Sequence, residues 1–331
     1  MHRVVMLLGS LALLVAQLVQ PSAVRAAPPE KLLRIGMLER TPAAANTANV
    51  EAFRQGLREL GYVEGPSFTL EYRSAEDRPE RFPDLARELV GLRVDVIVTR
   101  GEFATLAAKQ ATATIPIIMA SIGDPTISGL VASLARPGGN VTGFHVMVPP
   151  ELGGQRLRLL REVVPALTRV GILWNPSDIY PPAIVTDTQK TAAALGVQLE
   201  SLEVARPEAF EKTFETALFG RIDAVIAVED LLMFTERARI VDFAAMSRLP
   251  GIYGRREFVD AGGLMAYGTD RRDLFRRCAG YIDRILKGAR PGDLPVEAPT
   301  KYELAINLKT ATTLGLTIPP SLLRRAEHIV R

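Results

Sequence analysis

Four turns of this 331-residue chain combine backbone amides, hydroxyls and carboxylates in positions suited to binding a small polar molecule. Each turn follows an apolar segment with the pattern of a buried strand. The turns are residues 101–103 (GEF), 121–124 (SIGD), 175–180 (NPSDIY) and 229–230 (ED). Free backbone N–H groups at the start of a helix bind carboxylates, and carboxylate side chains bind ammonium groups. The four turns therefore predict reversible binding of a small charged or polar solute.

Some of these residues also have a purely structural interpretation. Asp124 precedes Pro125, a favoured first residue of a helix, so its carboxylate could serve only as a helix N-cap. Asn175 and Ser177 are common turn formers. Trp174 beside them could be a core residue or part of an apolar wall for the ligand. Both interpretations stay open at the level of the sequence.

Signatures of catalysis are absent from the sequence. It contains no G-x-x-x-x-G-K-[ST] or G-x-G-x-x-G nucleotide loop and no G-x-S-x-G nucleophile turn. The three histidines are His2, His145 and His328, and Cys278 is the one cysteine. This set excludes an intramolecular disulfide and a cysteine-based zinc site. We therefore predict a binding protein with no cofactor, no metal and no enzyme activity.

The elements that position the turns occur twice along the chain. Residues 34–39 (RIGMLE) resemble residues 169–174 (RVGILW) at an offset of 135, and residues 94–98 (VDVIV) resemble residues 222–226 (IDAVI) at an offset of 128. Gly61 and Gly196 end the intervening helices at the first offset. Apolar strands that alternate with helices are typical of parallel sheets covered on both faces. The sequence thus predicts an α/β fold with two doubly wound parallel-sheet lobes.

The arrangement of the lobes follows from where such sheets bind ligands. Ligands of doubly wound sheets lie outside the carboxyl ends of the strands, so two facing lobes would share one cleft. Further strand and helix patterns after residue 263 indicate that the chain crosses between the lobes three times, as a hinge. The predicted first lobe comprises residues 30–144 plus 264–292, and the second comprises residues 145–263 plus 293–331.

Residues 1–27 have the organisation of a cleaved signal peptide. His2 and Arg3 precede an apolar run over residues 4–19, and small residues around Ala27 suit cleavage. No cysteine lies near this junction, so we expect a mature protein without a lipid anchor in an exported compartment. Arg3 and Arg25 leave with the segment, so 38 basic and 37 acidic residues remain. This balance indicates no nucleic-acid partner.

Four motifs extend over nearly the whole mature chain. They are AFRQGLRELGYVEG (residues 52–65), LVASLARPGGNVTG (130–143), REFVDAGGLM (256–265) and LGLTIPP (314–320). In this order they resemble the ABC transporter substrate-binding proteins of the tryptophan/tyrosine-uptake type. The resemblance implies a type I periplasmic-binding-protein fold and a periplasmic monomer that closes like a Venus flytrap. It also implies delivery of a small molecule to an ABC permease in the inner membrane.

The resemblance also assigns ligand contacts to positions of this sequence. They are Arg40, Thr41, Gly101, Glu102, Phe103, Ser121 and Asp124 in the first lobe, and Asn175, Ser177, Tyr180, Glu229, Asp230 and Tyr253 in the second. For an amino-acid ligand, we expect its carboxylate to bind the N–H groups of residues 101–103 and the hydroxyl of Ser121. Its ammonium group would pair with Asp124, Glu229 or Asp230. Its side chain would pack on Phe103, Trp174 and Tyr253.

Two other function classes remain possible from the sequence alone. A ligand-sensing subunit of a membrane signalling receptor would use the same fold. An exported hydrolase is a weaker alternative, because no nucleophile and base can be paired. The sensor domain of a cytoplasmic repressor is excluded in practice, since a signal peptide stands where a DNA-binding segment would be.

Overall fold

The computed structural model describes residues 32–178 and 180–331. The predicted signal peptide lies outside these residues. Within them, no helix combines the length and the apolar character that a bilayer span requires.

The first sheet has five parallel strands in the order β2-β1-β3-β4-β5. The strands are β1 (Leu33–Glu39), β2 (Phe68–Ser74), β3 (Val96–Arg100), β4 (Ile117–Ile122) and β5 (Val141–His145). The helices between them are α1 (Thr47–Glu59), α2 (Phe82–Gly91) and α3 (Glu102–Ala111). Because all pairings are parallel, every carboxyl end lies at one edge of this sheet.

The second sheet has seven strands in the order β12-β11-β10-β9-β8-β6-β7. They are β6 (Arg169–Trp174), β7 (Gln198–Glu203), β8 (Ala224–Ala227), β9 (Gly251–Tyr253), β10 (Met265–Thr269), β11 (Tyr302–Asn307) and β12 (His328–Val330). Only the pair of β10 and β11 is antiparallel among the pairings described. The predicted pair of doubly wound lobes is confirmed, with this one exception to parallel pairing.

The remaining helices follow in chain order. They are α4 (Glu151–Val163), α5 (Pro181–Leu195), α6 (Phe210–Phe219), α7 (Leu231–Thr235), α8 (Arg237–Met246), α9 (Arg256–Asp260), α10 (Arg271–Leu286), α11 (Leu308–Leu314) and α12 (Pro320–Arg325). Helix α10 returns to the first lobe and packs against α1. A Cβ atom at Gly56 would lie 2.1 Å from the carbonyl oxygen of Arg276, so glycine allows the two helices to approach this closely.

Both faces of the first sheet are buried, as its continuous apolar strands predicted. In β3, Val96 and Val98 belong to one apolar cluster, and Ile97 between them belongs to the cluster on the opposite face. Successive side chains of a strand point to opposite faces, so helices must cover each side. Cys278 is buried in α10 as a small residue of this core.

The structure places the second and third crossings later than the sequence pattern did. Strand β10 pairs with β9 and β11, so residues 265–269 belong to the second lobe and the chain crosses at Asp270. Residues 294–297 still pack on the first lobe, where the N–H of Val296 donates to the carbonyl of Leu134 at 2.7 Å. The predicted boundaries at residues 264 and 293 are corrected accordingly. A strand pattern predicts that a strand exists, whereas its sheet depends on neighbours distant in sequence.

Candidate functional site

The predicted turns of the two lobes meet across what we call the interlobe cleft. This cleft lies between the turns after β1, β3 and β4 in the first lobe and those after β6, β8 and β9 in the second. The backbone N–H of Asp124 donates to the hydroxyl of Tyr180 at 3.0 Å, which joins the two lobes directly. A cavity of about 360 Å³ adjoins this contact at the hinge, with His145, Tyr180 and Tyr302 among its lining residues. Two turns whose contacting residues are 56 positions apart in the sequence are thus brought together by the fold.

The turns after β3 and β4 lie side by side in the first lobe. Gly101 has a positive φ of 83°, and its N–H donates to the carbonyl of Ser121 at 2.9 Å. Ser121 is buried, and Glu102 and Phe103 begin α3 with exposed side chains. Phe103 is 56% exposed, unusually high for a phenylalanine. These two predicted turns therefore form one continuous part of the cleft wall.

A buried ion pair that the sequence did not predict supports Thr41. Glu39 at the end of β1 is fully buried, and its Oε2 accepts a hydrogen bond from Nε of Arg100 at 2.7 Å. Nη2 of Arg100 donates to the hydroxyl of Thr41 at 2.7 Å. Burial raises the pKa of Glu39 despite the opposing charge of Arg100. The Arg100 guanidinium thus fixes both the strand end and a predicted contact residue.

Of the three charged residues predicted in the first lobe, Glu102 is exposed, and Arg40 and Asp124 have partners within that lobe. Nε of Arg40 donates to Oδ1 of Asp77 at 2.7 Å. Oδ1 of Asp124 accepts hydrogen bonds from the N–H of Thr126 at 2.8 Å and from its hydroxyl at 2.5 Å. Burial acts against the charge, but the Thr126 hydrogen bonds hold the pKa of Asp124 below its ordinary value. Asp124 therefore stabilises its own turn; residues 125–129 form a turn and no helix, so the carboxylate is not the helix N-cap that the sequence had left open.

Glu229 does not face a ligand with a free charge. Its two carboxylate oxygens accept hydrogen bonds from Arg156 at 2.6 and 2.7 Å, and Nε of Arg156 donates to the carbonyl of Tyr267 at 2.8 Å. Arg156 is fully buried. Burial opposes the charge of Glu229, yet the Arg156 guanidinium holds its pKa below the ordinary value. Arg156 already neutralises Glu229, which argues against the predicted pairing of Glu229 with a ligand ammonium group; that pairing stays a prediction.

The aromatic residues predicted to pack on a ligand are divided between the cleft and the core. Tyr253 is 1% exposed and stacks on Phe258 with 4.7 Å between ring centroids. Nε1 of Trp174 donates to the hydroxyl of Ser201 on β7 at 2.9 Å, and its ring packs on the core. Tyr253 therefore packs in the core, and its ring is not exposed to a ligand. Trp174 is half-buried, so a contact of its ring with a ligand stays a prediction. Phe103 keeps an exposed ring.

Asp230 retains one carboxylate oxygen without a hydrogen-bond partner among the described residues. Oδ1 accepts from the N–H of Met233 at 2.6 Å and so caps α7, but Oδ2 is buried and unpartnered. Burial raises the pKa of Asp230 against the opposing hydrogen bonds from the N–H of Met233 and the side chain of Asn175. In the adjacent turn, Oδ1 of Asn175 accepts from the N–H of Ser177 at 2.9 Å. Asn175 and Ser177 thus shape the turn, whereas Oδ2 of Asp230 is an acceptor without a partner among the described residues.

Arg255, which was not predicted, contributes the opposite charge two residues after β9. Its Cζ lies 4.4 Å from the centre of the Phe234 ring, and its Nε is buried without a hydrogen-bond acceptor in the described ranges. Burial and the neighbouring Arg271 guanidinium lower the pKa of Arg255 to about 9, so it is charged at neutral pH. The available sequence signal was the pair of arginines, Arg255 and Arg256, just after a strand. The resemblance to the family assigned no ligand contact to Arg255.

Over residues 32–178 and 180–331, no cluster of three His, Cys, Asp or Glu side chains is arranged to hold a metal ion. The chemistry that these residues offer is hydrogen bonding and charge pairing with a small molecule. Donors and acceptors of both signs stand at the carboxyl ends of the strands, where α/β proteins bind their ligands.

Comparison with known proteins places this architecture in a family. The family model described as ABC transporter substrate binding protein matches residues 37–330. A tyrosine-binding protein of Clostridioides difficile (strain R20291) is 25% identical over 266 residues, which cover 80% of this chain and 76% of the relative.

Solved structures share the fold. An ABC domain from Streptococcus pneumoniae in complex with L-Trp is 27% identical, with a TM-score of 0.72, over 91% of this chain and 100% of that chain. A conserved domain protein from Vibrio cholerae is also 27% identical, with a TM-score of 0.72, over 90% of this chain and 100% of that chain. The branched-chain amino acid transporter substrate binding protein LivJ of S. pneumoniae is 14% identical over 80% of this chain and 86% of that chain, and its TM-score of 0.55 supports the fold alone.

These matches confirm the type I periplasmic-binding-protein fold that the motifs implied. Since the family model spans nearly all of the described residues, this chain belongs to the family of ABC transporter substrate-binding proteins.

Proposed function

We propose that this chain is the exported solute-binding component of an ABC uptake transporter and that it binds an amino acid in the interlobe cleft. The observation that carries the proposal is the convergence of polar turns from both lobes, joined by the 3.0 Å hydrogen bond between Asp124 and Tyr180. Relatives that bind tyrosine or L-Trp support the class of ligand. The signal-peptide pattern of residues 1–27 supports a periplasmic location.

The hinge provides the mechanism of this binding. Three chain crossings allow the lobes to move as bodies, and a ligand that contacts both lobes stabilises the form in which they are together. A permease in the inner membrane can then distinguish the loaded protein from the empty one by shape. The ligand leaves unchanged, so the polar groups of the cleft need only hold it.

The exposed ring of Phe103 favours an amino acid with an apolar or aromatic side chain. Phe103 stands at the start of α3 in the cleft wall, and its 56% exposure leaves apolar surface in contact with water. Covering such surface with a ligand side chain is favourable, at about 25 cal/mol per Å². A ligand carboxylate or ammonium group alone would leave this surface exposed.

The proposal is tested by a thermal-shift screen of the mature protein against L-amino acids, small carboxylates, sugars and nucleosides, followed by calorimetry. A ligand at 100 times its Kd adds about 2.7 kcal/mol to the free energy of unfolding. We expect shifts with apolar or aromatic L-amino acids. Shifts with sugars or nucleosides and none with amino acids would overturn the proposal.

A matched pair of variants locates the ligand. Phe103→Ala should weaken amino-acid binding, whereas Phe219→Ala should not, although Phe219 is 85% exposed at the end of α6. Both changes remove an exposed ring, so a general effect of lost apolar surface would appear in both. Equal affinities for the two variants would remove Phe103 from the binding site.

A further inference from the structure

Two charged side chains of opposite sign, Asp230 and Arg255, each have one buried atom without a hydrogen-bond partner among the described residues, and they follow neighbouring strands of the second lobe. Strands β8 and β9 pair in parallel, with Ala227 opposite Tyr253. Asp230 follows β8 by three residues and Arg255 follows β9 by two. Oδ2 of Asp230 and Nε of Arg255 are both buried without hydrogen-bond partners among the described residues. Paired parallel strands lie about 4.8 Å apart, so the two side chains start from adjacent positions.

Each of these side chains is fixed in place by its other contacts. Asp230 is held through Oδ1, which caps α7 at the N–H of Met233. The guanidinium of Arg255 lies over the ring of Phe234, in the same short helix. The charge of Arg255 also acts on Asp230 and lowers its pKa against the larger effect of burial. Each group is therefore held by its own contacts, and no hydrogen bond or ion pair within the described ranges joins the two.

Unpaired buried charge is rare in proteins because its desolvation is not compensated. The neighbouring charges at this edge show the usual outcome, since Arg156 and Glu229 pair with each other through two hydrogen bonds. Among the described residues, no carboxylate oxygen lies within 4 Å of the Arg255 guanidinium, although Arg256 and Arg272 both pair with Glu303. A partner for Arg255 that comes from outside the chain must then be an anion.

We propose that Arg255 is the carboxylate anchor of the interlobe cleft and that it acts together with Asp230 on the charged end of an α-amino acid. The Arg255 guanidinium donates to the α-carboxylate, and Oδ2 of Asp230 accepts from the α-ammonium group. The two ligand groups are attached to the same carbon atom, which matches two side chains that follow adjacent strands. This inference rests on the proposed function and refines it, because the ligand must carry both free groups.

The proposal moves the carboxylate contact to the second lobe. The sequence had assigned the carboxylate to the N–H groups of residues 101–103 and to Ser121 in the first lobe. With Arg255 as anchor, the second lobe binds the α-carboxylate and α-ammonium groups that every α-amino acid shares. The first lobe, which presents Phe103, then contacts the part that differs between amino acids.

The test deletes one ligand group and one protein group at a time. L-tyrosine, L-tryptophan and L-leucine are titrated calorimetrically beside their primary amides, which lack the carboxylate, and their N-acetyl derivatives, which lack the ammonium group. The protein variants are Arg255→Gln and Asp230→Asn. Asparagine keeps an oxygen to cap α7, so D230N changes the charge and retains the cap. Arg237→Gln is the matched control, because Arg237 lies 4.8 Å from the same Phe234 ring.

We expect R255Q to weaken the free amino acid about 10- to 150-fold, the usual range for losing a hydrogen bond to a charged group. It should leave the weak binding of the amide unchanged within about twofold, since the amide has no carboxylate to lose. D230N should show the corresponding pattern with the N-acetyl derivative. R237Q should bind all ligands as the unmodified protein does.

The outcomes separate the two proposals. If the amino acids bind and R255Q weakens acid and amide equally, Arg255 is structural and the anchor is refuted while the proposed function stands. If the amino acids bind R255Q with full affinity, the anchor is likewise refuted and the proposed function stands. If no amino acid binds the unmodified protein, the proposed function fails and the anchor fails with it. Urea unfolding of each variant verifies that the lobes are folded.

Discussion

The two lobes share a succession of strands and turns but use the charged residues at their strand ends differently. In the first lobe, Glu39, Arg40 and Asp124 have partners nearby, whereas Glu102 is exposed. Glu39 pairs with Arg100 through Oε2, Arg40 pairs with Asp77, and Asp124 binds Thr126. Oε1 of Glu39 is buried without a partner among the described residues, but Arg100 supplies a counter-charge to this carboxylate. The first lobe therefore presents backbone groups, hydroxyls and one exposed aromatic ring to the cleft.

The second lobe pairs one of its strand-end carboxylates and leaves another partly unpaired. Glu229 is neutralised by Arg156, whereas Asp230 and Arg255 each keep a buried atom without a partner. Adjacent residues in the sequence, Glu229 and Asp230, thus have opposite roles. A charged residue at a strand end is a candidate ligand contact only where its own lobe supplies no counter-charge.

The largest expected effect, on the free energy of unfolding, concerns the buried ion pair in which Arg156 neutralises Glu229. Arg156→Met should lower the free energy of unfolding by about 3–5 kcal/mol, because it leaves the Glu229 carboxylate buried and unpaired. The double variant R156M/E229Q should recover a large part of this loss, since no charge is then left without a partner. Urea denaturation measures both.

The first lobe provides the control for this prediction. Arg40→Met breaks the pair with Asp77, whose side chain is 63% exposed, and should cost no more than about 1 kcal/mol. If R156M were as mild as R40M, Glu229 would be solvated and available to a ligand. The contrast between Glu229 and Asp230 would then be lost.

A second prediction compares two carboxylates of the second sheet that both pair with arginine. Burial raises the pKa of Glu303 to about 7, with Asp270 and Glu257 adding to the rise and Arg256 and Arg272 opposing it. The pKa of Glu229 moves the other way because the bidentate Arg156 outweighs burial. Pairing with arginine therefore does not by itself decide the direction of the shift.

The two directions give opposite dependences of stability on pH. Between the ordinary pKa of 4.5 and about 7, native Glu303 holds a proton that the unfolded chain has released. Its contribution therefore falls as pH rises through this window, by up to about 3 kcal/mol. Glu303→Gln should match the unmodified protein at pH 5 and exceed its stability at pH 8. Glu229→Gln should be less stable at pH 8. Urea midpoints at both pH values test this, and a less stable E303Q at pH 8 would contradict it.

The paired lobes were predictable because burial on both faces leaves a continuous apolar signal in each parallel strand. Segments such as Val96–Arg100 carry that signal in five residues, and its repetition revealed the second lobe. The turns that approach the cleft followed from the geometry of parallel sheets. Both inferences depend on local patterns and on a general rule about strand ends.

The use of each polar residue was not predictable, because it depends on partners far away in the chain. Arg156 lies 73 residues before Glu229, on a helix whose polar pattern does not mark it as buried. Arg100 lies 61 residues after Glu39, and nothing near Glu39 indicates a counter-charge. The same limit explains Tyr253, whose ring turns into the core beside Phe258. Arg255 could not be singled out from the sequence, because its proposed role follows from the absence of a partner for Nε among the described residues.

The smallest expected effect concerns the one described contact that joins the two sets of turns. Tyr180→Phe removes the hydroxyl that accepts the N–H of Asp124 across the cleft. A net hydrogen bond contributes about 0.5–1.5 kcal/mol, so the lobes should separate more readily. A ligand that requires both lobes should then bind about 2- to 10-fold more weakly. Calorimetry gives the affinity, and small-angle X-ray scattering gives the radius of gyration of the empty protein.

Tyr62→Phe is the matched control, because the Tyr62 hydroxyl bonds Asp283 at 3.1 Å within the first lobe. It removes a similar hydrogen bond and should lower stability without changing ligand affinity or the radius of gyration. If Y180F and Y62F bind ligand equally well, Tyr180 does not link the lobes in solution. The first lobe would then contribute to binding only through the groups that touch the ligand. Closure of the lobes would in that case not depend on the hydrogen bond between Asp124 and Tyr180.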